Sequence, residues 1–139
     1  MGRRRRRRAV ILLSALWLAA AQQTIASPVV GDWTNPAQSV VMQVAPCGPA
    51  LCGTVRWASE PARNDAGRGG TQTLVGTEVL RDFKSMRPGQ WRGVLFVPDR
   101  NVRTRAELIE VEADRLRIRA CTAGGLFCNS QLWTRVKPQ

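Results

Sequence analysis

Four cysteines carry the clearest chemistry in this chain, and they stand in two local pairs, Cys47 with Cys52 and Cys121 with Cys128. Paired cysteines hold zinc, exchange electrons or form structural disulfides. The Cys-x4-Cys and Cys-x6-Cys spacings exceed the two-residue gap of zinc knuckles and of redox Cys-x-x-Cys sites, and no His is present to complete a metal site. Structural disulfides are the reading that remains, and oxidised cysteines are not nucleophiles. The absence of His and Tyr also removes an imidazole base and a phenol acid. Ser and Thr therefore lack an activating partner, Lys84 and Lys137 read as exposed, and the ten carboxylates are scattered. Asn64 and Asp65 offer too few oxygens for calcium. The chain reads as a non-enzyme with no cofactor and no metal.

Disulfides persist in oxidising compartments, and the N-terminus reads as a route to one. Arg3 to Arg8 is an unbroken basic run, followed at once by an apolar stretch from Ala9 to Ala21. A basic n-region, a short apolar core and small residues describe a secretory signal peptide, and the apolar stretch is shorter than the roughly 20 residues that span a bilayer. Thr24-Ile25-Ala26 places cleavage after Ala26, with Ala21 as the alternative. The Arg run also suits twin-arginine export, although the residues after it lack the rest of that signal. Removing residues 1–26 takes away six Arg and no acid, so the net charge falls from +11 to +5. That balance is weak support for nucleic-acid binding. The expectation is a single domain, 27–139, in the periplasm or secreted, with no integral membrane segment after cleavage.

The elements that position the cysteines read as strands. Short apolar runs broken by Gly, Pro and Asn lie at 31–34, 39–46, 53–58, 91–97, 103–111, 115–121 and 129–136, while 74–84 suits a strand or a short helix. Such spacing predicts an antiparallel sandwich or barrel. A hairpin centred between Pro49 and Ala50 places Cys47 opposite Cys52, with Met42 facing Trp57 and Val44 facing Val55. A second hairpin turns at Ala113-Asp114, pairing Ile109 with Ile118, and needs a bulge near Leu108 to reconcile the parity upstream. A third turns at Gly124-Gly125, setting Cys121 opposite Cys128, Leu116 opposite Trp133 and Gln131 opposite Ile118. Gln131 is then either a satisfied core amide or a ligand contact. Residues 59–72 read as a long polar loop, a mobile surface lid.

A meander of hairpins with no long crossover closes most simply into a barrel, which removes sheet edges. Gly31-Asp32-Trp33 near the start and Trp133-Thr134-Arg135 at the end resemble the calycin superfamily, lipocalins and their relatives. That resemblance implies barrel closure by Trp33, Trp133 and Arg135, with the Arg over the Trp33 ring. The segments Pro46-Cys47-Gly48-Pro49-Ala50-Leu51-Cys52-Gly53, Trp91-Arg92-Gly93 and Leu116 to Cys121, with Gly125-Leu126-Phe127-Cys128, resemble the bacterial exported family called domain of unknown function 2147. The resemblance implies a small periplasmic protein of lipocalin-like fold with no established enzymatic activity. This chain departs from the family pattern at Asn101, which stands at a Gly turn, and at Thr104, where Tyr is common.

The expected fold is thus all-β, a small up-and-down lipocalin-like barrel of about seven or eight strands after a cleaved leader. The expected function is a non-catalytic binding module for a small apolar or amphipathic ligand, lined by Met42, Trp57, Val94, Phe96, Thr104 and Gln131. The alternative is a protein-interaction module, such as an inhibitor of a secreted hydrolase, using the loops at 48–51 and 124–127 with Leu51, Leu126 and Phe127 at their tips.

Overall fold

The structure, a computed structural model, describes residues 27–137, so the leader and cleavage site read in residues 1–26 lie outside it. Eight strands follow one another: β1 Gly31–Thr34, β2 Val40–Cys47, β3 Ala50–Ala58, β4 Glu78–Arg87, β5 Gln90–Val97, β6 Val102–Glu112, β7 Arg115–Thr122 and β8 Phe127–Arg135. Each pairs antiparallel with the next, and β8 returns to β1, closing an up-and-down barrel. The ambiguous stretch at 74–84 thus resolves as a turn at 75–76 followed by β4. The turns Gly48–Pro49, Pro88–Gly89 and Ala113–Asp114 gather at one end, the floor. The β5–β6 turn at 98–101 and the β7–β8 connection, with its 3-10 turn at Ala123–Gly125, stand at the other end, the mouth.

Register follows local turn chemistry. In the first hairpin the turn contains only Gly48 and Pro49, with Gly48 at φ +63°, the positive angle that tight hairpins favour. Cys47 therefore pairs with Ala50 and Ala45 with Cys52, so the Cys47–Cys52 disulfide runs diagonally, at a Cα separation of 5.8 Å. The same shift draws Leu51 into β3, where it is buried rather than presented at a loop tip. Farther along, Arg56 bulges between the pairs Met42–Val55 and Val41–Trp57. That bulge turns Trp57 outward, where it is 51% exposed, and puts the small Ala58 inside.

The β6–β7 hairpin turns at Ala113-Asp114 as expected, with Glu112 opposite Arg115. Its bulge falls at Val111 rather than near Leu108. Leu108 consequently faces Ile118 in the interior, while Ile109 sits opposite Arg117 on the outer face. The β7–β8 register is unbroken and matches the sequence reading: Cys121 opposite Cys128, Ile118 opposite Gln131, Leu116 opposite Trp133.

The interior is densely occupied from the floor upward by Trp33, Met42, Val44, Val55, Leu80, Phe83, Leu108 and Leu116, none more than 2% exposed. Two inward positions are glycine because large neighbours fill their space. A Cβ on Gly53 would lie 2.8 Å from Leu80 and from the Met42 sulfur, and one on Gly93 would lie 2.6 Å from the Phe83 ring.

Residues 59–72 contain a helix, α1 Glu60–Arg68, in place of the expected loop. The Ser59 side chain accepts from the Ala62 amide at 3.2 Å and caps the start; Pro61 sits in the first turn, and Gly69 forms the C-cap. Ala62 and Ala66, one turn apart, pack on the core cluster. The helix end abuts the β5–β6 turn: a Cβ on Gly69 would strike Asp99, and Thr71 Oγ1 donates to the Pro98 carbonyl at 3.0 Å.

On the outer face Arg92 donates to Glu107 at 2.9 Å across β5 and β6, and this bond holds the Glu107 carboxyl below the usual carboxylate range. A depressed folded pKa contributes stability that is complete above the unfolded value, about 4.3, and vanishes as pH falls through the folded one. Urea melts of Glu107→Gln should show a loss of about 0.2–1 kcal/mol near pH 7 and none near pH 2. Gly53→Val should destabilise by about 1–3 kcal/mol through overpacking. In a thermal melt that is a fall of roughly 4–8 °C per kcal/mol.

Candidate functional site

The two ends of the barrel differ in kind. At the floor, β1 is only four residues long and pairs with β8 through Trp33–Arg135 and Thr34–Thr134. Arg135 reinforces this narrow seam. Its guanidinium stacks 4.3 Å from the Trp33 ring centroid, donates to Val30 O at 2.9 Å and Ala113 O at 3.0 Å, and also reaches Pro28 O. Trp33 Nε1 donates to Val29 O at 2.9 Å, so the chain at 28–30 is drawn across the floor and Val29 is fully buried. A planar cation with several donors suits this position because it satisfies carbonyls and an indole face at once. Trp133, expected to share the closure, lies higher on the inward face and donates from Nε1 to Gln131 Oε1 at 3.1 Å.

At the mouth, α1 and Leu74 join the core cluster together with Ala58, Val40 and Leu95. The β6–β8 side is different. Phe127, Asn129 and Gln131 share the inward parity of β8 yet are exposed, and Thr104, Ala120 and Trp133 beside them are half-buried. The inward strip thus changes from sealed aliphatic side chains at Leu116 and Ile118 to solvent-reached amides and aromatics.

Of the side chains expected to line a ligand cavity, only Thr104 and Gln131 stand at this mouth. Met42 is sealed in the core. Trp57 faces outward beside Val41, for the bulge described above. Val94 and Phe96 also face outward, paired with Arg105 and Arg103, and the Arg103 guanidinium lies 4.7 Å from the Phe96 ring centroid. The inward residues of β5 are instead Trp91, Gly93 and Leu95. Leu126 and Phe127 are 80% and 69% exposed at the β7–β8 connection. Sequence reasoning missed Asn129 and Ala120, although the register it derived for this hairpin assigns both to the inward face.

Two surface hollows are lined by residues outside the inward strip of β8. One of about 310 Å³ borders Asp32, Gln43, Arg135 and Lys137 at the floor, and one of about 530 Å³ lies on α1 between Arg63, Asn64 and Gln72. Among the described residues no three His, Cys, Asp or Glu side chains gather as a metal site, and no helix is long and apolar enough to cross a membrane.

An eight-stranded meander closed over a Trp–Arg floor is a lipocalin-like barrel. The solved structure of protein HP1028 from Helicobacter pylori, described as belonging to the lipocalin family, is similar in fold: the TM-score is 0.62 at 7% identity, over 78% of this chain and 83% of that one. The chain belongs to the bacterial family described as "uncharacterized protein conserved in bacteria (DUF2147)", whose profile matches residues 31–135. A comparison with curated proteins finds no match.

Arg135→Lys keeps the charge but loses the planar fork that serves several carbonyls. A loss of roughly 1.5–3 kcal/mol in urea denaturation is expected, the scale of one hydrogen bond to a charged group. An unchanged midpoint would mean the floor does not depend on that geometry.

Proposed function

We propose that this is an exported, non-catalytic binding module that holds a small amphipathic molecule at the mouth of the barrel, on the strip formed by Thr104, Ala120, Phe127, Asn129, Gln131 and Trp133. The observation that carries this reading is inward-facing side chains that solvent reaches, directly above a sealed core. Gln131 is oriented by the Trp133 indole N–H, which occupies its carbonyl oxygen and leaves its amide N–H groups for an acceptor on the ligand. Ala120 and the ring of Phe127 supply apolar contact beside it. Binding pockets commonly combine apolar walls with a few such convergent polar groups. Two disulfides suit an oxidising compartment, and cleavage after Ala26 would release the chain there. A second reading, docking of the apolar tip Leu126–Phe127 into another protein's cleft, is favoured by the exposure of both residues.

Native mass spectrometry of protein purified from its host should show added mass from a retained small molecule. Titration with anilinonaphthalene sulfonate should give enhanced, blue-shifted emission. Ala120→Trp, which fills the strip, should weaken that binding by about tenfold, or roughly 1.4 kcal/mol. Equal dye binding by the variant and the parent would contradict the mouth as the site. Co-purification of a protein lost in the Leu126→Ser, Phe127→Ser double variant would favour the second reading instead.

A further inference from the structure

The barrel is closed at its floor but split along β8. β1 stops at Thr34, and its pairing with β8 covers only Thr134 and Arg135. From Phe127 to Trp133, β8 pairs with β7 on one side and, among the described residues, with no strand on the other. Two independent features fix which backbone groups face that open side. The Arg135 amide donates to Asp114 O on the β7 side, whereas the Val136 amide donates to Asp32 O on the β1 side. The Cα atoms of Cys121 and Cys128 are 4.0 Å apart, the close approach of a non-hydrogen-bonded antiparallel pair. By alternation, the N–H and C=O groups of Cys128, Ser130 and Leu132 point away from β7. No described residue bonds to them.

Free strand edges are normally protected by charge, proline, a bulge or a covering element, because they template further pairing. Phe127-Cys128-Asn129-Ser130-Gln131-Leu132-Trp133 has none of the first three: it carries no charge and no Pro, and its register runs without a bulge. We propose that this edge pairs with the same edge of a second copy of the chain, antiparallel about a two-fold axis at Ser130, joining two barrels through one continuous sheet. The sequence is self-complementary in that register. Ser130 meets the partner's Ser130 and Cys128 meets the partner's Leu132, each pair exchanging both backbone bonds. Asn129 lies opposite the partner's Gln131, and Phe127 opposite the partner's Trp133, an amide pair and an aromatic pair of the kinds that stabilise cross-strand contacts. The strand itself carries no charge, and the Arg119 guanidinium of the neighbouring β7 lies over it, 3.6 Å from Cys128 Sγ. The arrangement is isologous, the commonest symmetry of soluble oligomers, and it stands whether or not the mouth binds a ligand.

Sedimentation velocity of the purified protein across a concentration series should show a species of twice the chain mass. Ser130→Lys places two ammonium groups against each other at the axis, and Ser130→Pro removes an N–H that β7 does not use. Each should return the mass to that of one chain, with the circular dichroism spectrum kept and the melting temperature no longer dependent on concentration. In the unmodified protein, hydrogen exchange at the Cys128, Ser130 and Leu132 amides should slow as concentration rises. A single-chain mass at all concentrations overturns the proposal, as does a dimer indifferent to both substitutions. Concentration-independent protection of those amides also overturns it, because the edge would then be covered within one chain. A one-to-one complex with a different protein at this edge would overturn it as well.

Discussion

The stacking of Arg135 on Trp33 is the interaction on which the shape of this molecule depends. Eight strands can close only if the last finds the first, and here the first offers four residues and two register pairs. Backbone pairing that short is a weak seam. Arg135 widens it by binding carbonyls from the floor-crossing segment and from the β6–β7 turn while lying on the indole. One side chain thus ties together three parts of the chain that are far apart in sequence. Because β1 is spent on the floor, no described strand pairs with the upper part of β8 on that side. The exposed inward amides and the edge left unpaired among the described residues have the same origin.

The disulfides fit this division. Cys47–Cys52 braces a floor turn diagonally, and Cys121–Cys128 ties the two strands of the hairpin that rises beside the mouth. Each closes a small loop, so each fixes a hairpin more than it restrains the whole chain. The β7–β8 hairpin needs its bridge most, since among the described residues β8 there has a neighbouring strand on one side only.

Where cysteines and paired glycines marked a turn, the sequence was legible: the β7–β8 register follows from Cys121, Gly124, Gly125 and Cys128 without adjustment. Misreadings arose where volume, rather than polarity, decides which face a residue takes. Gly93 offers nothing to pack, so Val94 and Phe96 looked like the inward set; in the fold the Phe83 ring fills the space Gly93 leaves, and the parity of β5 is the opposite. Similarly, Trp57 outweighs Ala58 in apolarity, yet only the smaller residue is taken inside, beside Val40. Helix α1 buries little beyond Ala62 and Ala66 and so has no apolar stripe to read, although Ser59, Pro61 and Gly69 are ordinary start and stop signals. The mouth was half legible, through Gln131, because its register was right while its exposure depends on where β1 ends.

Barrel closure resides at the floor. Native-state hydrogen exchange in increasing denaturant tests it directly, through the amides of Thr134 and Val136 on β8's β1-facing side and that of Arg135 facing β7. These amides should exchange only with global unfolding, at the full free energy of the fold, while the mouth end of the β7–β8 hairpin opens at a lower one. Floor amides that exchange through a low-energy local opening, with the mouth still protected, would contradict it.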